Sequence, residues 1–225
     1  MVGRVHYGTG GWGRVEEQEF YGLSLLASRV DPEGWFGPGR LRRAGKGLSR
    51  RGVRRTLVPP LFEGWAMLEP WGLAPVSVLP LVRAKAGEVA LAALERVDAA
   101  PDRAVVALRA SRADRNLIDA ACLLCPRVRH LIIDVPQGGE ELARWLRWEF
   151  GMPILPSQEM GTVALQFDRA EEREEQTLRL YGQQPDLKGV AFSAPALAEE
   201  DREDLPLLSL LWERGRLGPE GLKIT

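Results

Sequence analysis

Residues 103–167 alternate between two hydrophobic periodicities, and this alternation narrows the possible folds more than any other feature of the chain. Residues 103–108, Arg-Ala-Val-Val-Ala-Leu, form a short apolar run suited to a strand buried on both faces. Leu117, Ala120, Ala121 and Leu124 then recur at helical spacing until Pro126 stops the helix. A second apolar run over 130–135 leads into a second helix over 139–150, with Leu142, Ala143, Leu146 and Phe150 on its core side and Gly151 as its C-cap. Residues 152–155 and 162–167 read as further strands. Strands that alternate with helices through short loops predict βαβ units and a parallel sheet.

Upstream, a basic helix over 40–51, a strand at 56–58, a helical stretch at 62–71 and a strand at 74–79 suggest a second, smaller α/β unit. Residues 81–97 carry an apolar face long enough for a bridging helix, and Asp98-Ala-Ala-Pro101 is the natural boundary after it. After residue 167 the chain turns charged over 168–176, offers short strands at 178–181 and 189–193, and ends with a helix near 205–214. The expected organisation is a small α/β unit at 1–80, a bridging helix and boundary at 81–100, the parallel-sheet unit at 101–195 and a C-terminal helical segment at 196–225.

With 225 residues, 45% of them hydrophobic, the chain is long enough to bury a core without disulfide or metal support. A net charge of -1 supplies no bulk electrostatic reason for a nucleic-acid or membrane partner. No apolar stretch reaches the roughly 20 residues of a membrane span, and no secretory signal pattern opens the chain. Cys122 and Cys125 are too few and too close for a disulfide framework, so a cytoplasmic protein is expected. Charge is nevertheless uneven. Arg40, Arg42, Arg43, Lys46, Arg50, Arg51, Arg54 and Arg55 follow one another with no acid between them, while residues 168–204 are rich in Asp and Glu.

Gly8-Thr9-Gly10-Gly11-Trp12-Gly13 matches G-x-G-x-x-G, and Asp31 follows at about the distance of a ribose-binding acid. The context does not match. The run 2–7 contains Arg4 and His6, and the segment after the glycines is acidic, whereas a dinucleotide fingerprint needs a buried strand before it and an apolar helix after it. An amphipathic hairpin of 2–7 against 14–20, with the glycines as a loose turn, accounts better for the charges.

The turn after residue 108 is where a parallel sheet of this kind holds a cofactor, and it reads Arg109-Ala-Ser-Arg-Ala-Asp114 without a glycine. In one reading Arg109 and Arg112 hold a phosphate by charge, with Ser111 beside them and Asp134 on a ribose hydroxyl. In the other, Ser111 and Asp114 form a capping box that already uses the helix amides. Pro136 to Glu141 reads as a structural turn, because Glu140 and Glu141 would repel an anion there. Cys122 and Cys125 close a helix rather than open one, which suits buried small hydrophobes better than a redox pair. His6 and His130 fit no zinc motif, so no metal is expected. Neither a G-x-S-x-G elbow nor a P-loop is present. Trp148 points away from the core side of its helix and, with Trp145, marks a contact with the chain's own acidic segment or with a second copy in a homodimer.

In the order of its strands and helices, the stretch 103–167 resembles the nucleotide domains of Rossmann dehydrogenases, including those of the shikimate dehydrogenase type. The resemblance implies an N-terminal unit, a bridging helix, the parallel sheet and a final helix. It does not extend to motif residues: the glycine fingerprint is missing from its usual turn, and 56–61 contains no lysine that would match a catalytic site. The expected fold class is therefore α/β, a Rossmann-like parallel sheet with flanking helices plus a smaller N-terminal α/β unit. The expected function is a small-molecule-binding, regulatory or interaction module. The alternatives are an NAD(P)-dependent oxidoreductase and a nucleic-acid-binding protein that uses the arginine-rich helix at 40–55.

Overall fold

The computed structural model describes residues 1–169, 173 and 176–225, so part of the charged 168–176 segment lies outside the described residues. It divides into two compact units, Met1–Ser77 with Asp204–Gly218, and Val78–Glu203 with Pro219–Thr225.

The first unit contains β1 (Val2–Tyr7), β2 (Trp12–Phe20), β3 (Leu23–Val30), α1 (Gly37–Arg50), β4 (Arg55–Leu57), α2 (Trp65–Leu68) and β5 (Ala74–Pro75). Its sheet runs β2-β3-β1-β4-β5, and every pairing is parallel except β2 with β3. The expected hairpin of residues 2–7 with 14–20 does not form, because β3 lies between those strands. Burial explains the difference. Val2, Gly3 and Val5 are buried, so β1 needs a neighbour on each side, whereas β2 exposes Arg14, Glu16, Glu17 and Glu19 and suits an edge. Arg4, expected opposite a glutamate, instead lies over the Phe20 ring at 3.6 Å. The hairpin that does form joins β2 to β3 through Tyr21 and Gly22, both at positive φ, as a tight two-residue turn requires. Leu41, Ala44 and Leu48 of α1 pack on Val5, Leu26 and Val30, which share one face of the sheet. Burying each of those leucines contributes about 1.5–3 kcal/mol.

The second unit begins with α3 (Leu79–Ala84) and α4 (Ala86–Arg96), since Lys85 leaves helical geometry and divides the helix expected over 81–97. There follow β6 (Val105–Arg109), α5 (Arg115–Leu124), β7 (His130–Asp134), α6 (Gly139–Phe150), β8 (Ile154–Leu155), β9 (Val163–Gln166) and β10 (Thr177–Arg179). These five strands form a parallel sheet in the order β10-β9-β6-β7-β8. The apolar runs are buried as their composition requires, and α4 packs against α5 and β9. Arg83 of α3 ties down the two strands on one side, donating to the carbonyl of Leu180 at 2.8 Å and to that of Phe167. On α6, Leu142, Ala143 and Leu146 are buried, but Phe150 is 42% exposed and meets Trp145 edge to face instead of joining the core side.

Beyond β11 (Phe192–Ser193), the chain re-enters the first unit as α7 (Leu205–Glu213). Asp204 caps this helix by accepting from the Leu207 amide at 3.1 Å, and Ser209 donates to the Ser77 carbonyl at 2.8 Å. The last strand, β12 (Lys223–Ile224), pairs antiparallel with β11. The fold is therefore α/β, a Rossmann-like parallel sheet flanked by helices plus a smaller N-terminal α/β unit. Among the described residues no helix is long and apolar enough to cross a membrane.

Candidate functional site

From β6 the chain places β7 and β8 on one side and β9 and β10 on the other, so the strand order reverses between β6 and β9. Open parallel sheets form a crevice at such a point, outside the carboxyl ends of the strands. Strand register sets Asp134, Arg109, Gln166 and Arg179 side by side across β7, β6, β9 and β10. Two residues earlier, on the same face, stand Ile132, Ala107 and Ala164, which form an apolar cluster. A polar row thus caps a dry sheet.

Arg109 is 3% exposed, and its guanidinium lies 2.5 Å from the Asp134 carboxylate and 3.5 Å from the carbonyls of Ser157 and Glu159. Arg173 reaches the same carboxylate at 3.5 Å and donates to the Ser157 carbonyl at 3.0 Å. Beside Arg109, Gln166 is fully buried, and among the described residues neither its amide nitrogen nor its amide oxygen has a hydrogen-bond partner. Buried polar groups are otherwise nearly always satisfied.

Of the four residues proposed from the sequence, the structure brings Arg109 and Asp134 into contact, while Ser111 and Arg112 are exposed. The capping reading of Ser111 is not met. Helix α5 starts at Arg115, so Asp114 is the N-cap and accepts from the Leu117 amide at 2.9 Å. Ser111 lies too far upstream to cap the helix. Its amide and hydroxyl both donate to Asp168, at 2.7 and 2.5 Å. The turn is also laced to the loop after β7: the Ala110 amide donates to the Asp134 carbonyl, Ala113 to Gln137, and Gln137 back to Ser111. Three amides that a pyrophosphate would need are therefore committed within the chain. Gln166, Asp168 and the 157–159 carbonyls escaped the sequence reading, although a glutamine in an otherwise apolar strand was a legible signal.

The glycine-rich loop is likewise occupied. Asp31 places one carboxylate oxygen 3.3 Å from the Gly10 amide and the other 3.1 Å from the Glu33 amide, and it pairs with Arg40 at 3.1 Å. The Glu33 amide first, then Gly10 and Arg40, hold its carboxyl below the usual range. The glycines are explained by packing. A Cβ on Gly11 would lie 2.7 Å from the Arg29 carbonyl carbon, and Gly13, at φ +71°, would bring one within 2.5 Å of the Arg40 carbonyl oxygen. The loop thus passes over the end of β3 and under α1 on its way from β1 to β2.

The basic helix splits its charges. Arg40 is used by Asp31 and lies 5.0 Å from the Trp12 ring, whereas Arg42, Arg43, Lys46 and Arg50 face solvent. Cys122 and Cys125 are free thiols, and burial pushes Cys125 up to about 11. Among the described residues no group of three or more His, Cys, Asp or Glu is placed to hold a metal ion.

No family model matches the chain, and no curated protein does. Among solved structures, the L-tryptophan dehydrogenase of Nostoc punctiforme is similar over 75% of this chain, at 12% identity and a TM-score of 0.33. The match takes in 56% of that protein's own length.

Proposed function

We propose that the chain is a cytoplasmic binding or regulatory module that takes a small anionic molecule at the carboxyl edge of the parallel sheet, between β6 and β9. The observation that carries this reading is the unpartnered amide of Gln166 beside the buried Arg109. A buried arginine beside an unsatisfied buried amide is a poor way to stabilise a sheet, which supports a binding role. In this reading Arg109 supplies charge, the Gln166 amide pairs with a polar group of the ligand, Ser111 and Arg112 line the rim, and Asp134 accepts a hydroxyl. The free thiols of Cys122 and Cys125 fit a reducing compartment. The exposed Trp145 and Trp148 are assigned to contact with a second copy.

The test is calorimetric titration with inorganic phosphate, AMP, sugar phosphates, dicarboxylates and NADH. At least one small anion binds the intact protein, and both Arg109→Met and Gln166→Met abolish that binding while the protein stays folded. A second reading, an NAD(P)-dependent oxidoreductase, draws on Asp134, which ends the second strand of the sheet where a ribose acid sits in dinucleotide folds. Saturable NADH binding that is lost in Arg112→Ala would replace the first reading with the second.

A further inference from the structure

We propose a second ligand site in the first unit, on the face of its sheet opposite α1, for a small anion that also carries hydroxyl groups, of the sugar-phosphate or sugar-acid class. Register and alternation put His6, Arg29, Ala27 and Gln18 on that face, whereas Val5, Leu26 and Val30 turn toward α1. There the strands and the rim of the glycine-rich loop enclose a depression of about 440 Å³, lined by His6, Trp12, Arg14, Glu16, Gln18 and Arg29 among others. That volume falls within the range of small-molecule sites.

Two observations point to a ligand. The Nδ1 of His6 and the Oε1 of Gln18 are both buried with no hydrogen-bond partner among the described residues, and both residues line the same depression. Arg14 and Arg29 also line it, and neither has a carboxylate partner among the described residues. Burial first, then the charges of Arg4 and Arg29, lower the His6 imidazole below its ordinary value, so at neutral pH it is uncharged and keeps a lone pair for a hydroxyl.

These groups define the chemistry. The two guanidiniums attract an anionic group. Gln18 Oε1 and the Glu16 carboxylate are acceptors, and so need a molecule that donates. Trp12 lies at the rim, but it pairs in register with Val30 and its ring meets Arg40 of α1, so selectivity rests on the strand side chains and not on an aromatic wall. The loop amides add nothing, because Gly10 is taken by Asp31 and Gly11 by the Gly8 carbonyl. The anion is therefore bound by side chains and not by a phosphate loop. The site lies within the first unit, so its fate is independent of the carboxyl-edge site of the second sheet.

The chain has only two histidines, which makes the imidazole NMR signals of the full-length protein a direct readout, with His130 as the internal control. Glucose 6-phosphate or gluconate is expected to shift the His6 signals saturably and leave those of His130 unmoved. Glucose, which lacks the charge, and inorganic phosphate, which lacks the hydroxyls, each bind at least about 10-fold more weakly. Arg29→Met and Gln18→Leu each weaken binding by about 10-fold or more. Arg14→Met, at an exposed position that leaves folding intact, weakens it in the same direction. An unmoved His6 signal with both hydroxylated anions at about 5 mM overturns the proposal, as does an equal response to inorganic phosphate alone. Binding that survives both arginine substitutions overturns it too.

Discussion

Replacing Gln166 by methionine should make the protein more stable, against the usual direction for a change inside a packed sheet. The side chain is fully buried, and both polar atoms of its amide lack partners among the described residues. Leaving a buried donor or acceptor unsatisfied costs about 1–3 kcal/mol for each group. Methionine is nearly as long, carries no such group and adapts its shape to the space. Partial relaxation around the new side chain reduces the gain, so the expected stabilisation is about 1–3 kcal/mol in total, and not the sum over both atoms. For a chain of this size that is roughly 2–12 °C in melting temperature. Because the two units need not unfold together, the decisive measurement is hydrogen exchange at the β6 and β9 amides, supported by the urea midpoint. Arg109→Met sits one strand away in the same row and has the opposite sign. It strips the Asp134 carboxylate of its buried partner and costs about 3 kcal/mol, the low end for a broken buried pair, because Asp134 is 28% exposed and keeps Arg173. If Gln166→Met lowers stability by more than about 1 kcal/mol, the amide is satisfied in the free protein, and the argument for a ligand at this edge fails.

Four further outcomes are expected. Folding lowers the His6 value from 6.5, so its contribution to stability is complete above about pH 6.5 and declines as pH falls through that value toward the lower folded one; melting curves between pH 8 and 5 should show a slope that His6→Phe removes. With the Cys125 thiol near 11, only about 0.1% is thiolate at pH 8, so alkylation by iodoacetamide should be slow in the native protein and fast in urea, and rapid native labelling would revive a redox role. Trp148 is 87% exposed on α6, and if two copies meet there, sedimentation of Trp148→Glu should give a lighter species than the parent protein. The solvent-facing Arg42, Arg43 and Arg50 are expected to act only as a hydrated surface; single-stranded DNA affinity that falls steeply with salt and vanishes when all three are reversed to glutamate would show otherwise.

How much of this was legible in the sequence depended on whether a feature was local. The strands and helices of 103–167 could be read because each buries its own apolar run or stripe, and Gly151 ends α6 at positive φ as a C-cap should. Partners were not legible. Alternation in 2–7 and 14–20 shows which side chains share a face, but not that β3 returns to lie between the two strands. The cap of α5 was misplaced because Ser111 and Asp114 both suit an N-cap, and what decided between them, the carboxylate of Asp168, is distant in sequence. Gln166 became meaningful only when register set it beside Arg109.

The two places where this chain most resembles a phosphate-binding protein hold the same kind of group, a carboxylate of the chain itself. Asp31 fills the glycine-rich loop and Asp168 fills the turn after β6. They are not held equally. Three separate residues anchor Asp31, through the amides of Gly10 and Glu33 and the guanidinium of Arg40, and the two amides engage different carboxylate oxygens. At Asp168 the amide and hydroxyl of a single exposed residue, Ser111, converge on one oxygen. Displacing Asp31 would break contacts on several elements at once and free a charged arginine. Displacing Asp168 would release one residue's donors, which an incoming anion can accept in its place. Competition between an external anion and the chain's own acids therefore favours the glycine-free turn, even though the glycine-rich loop carries the more familiar letters.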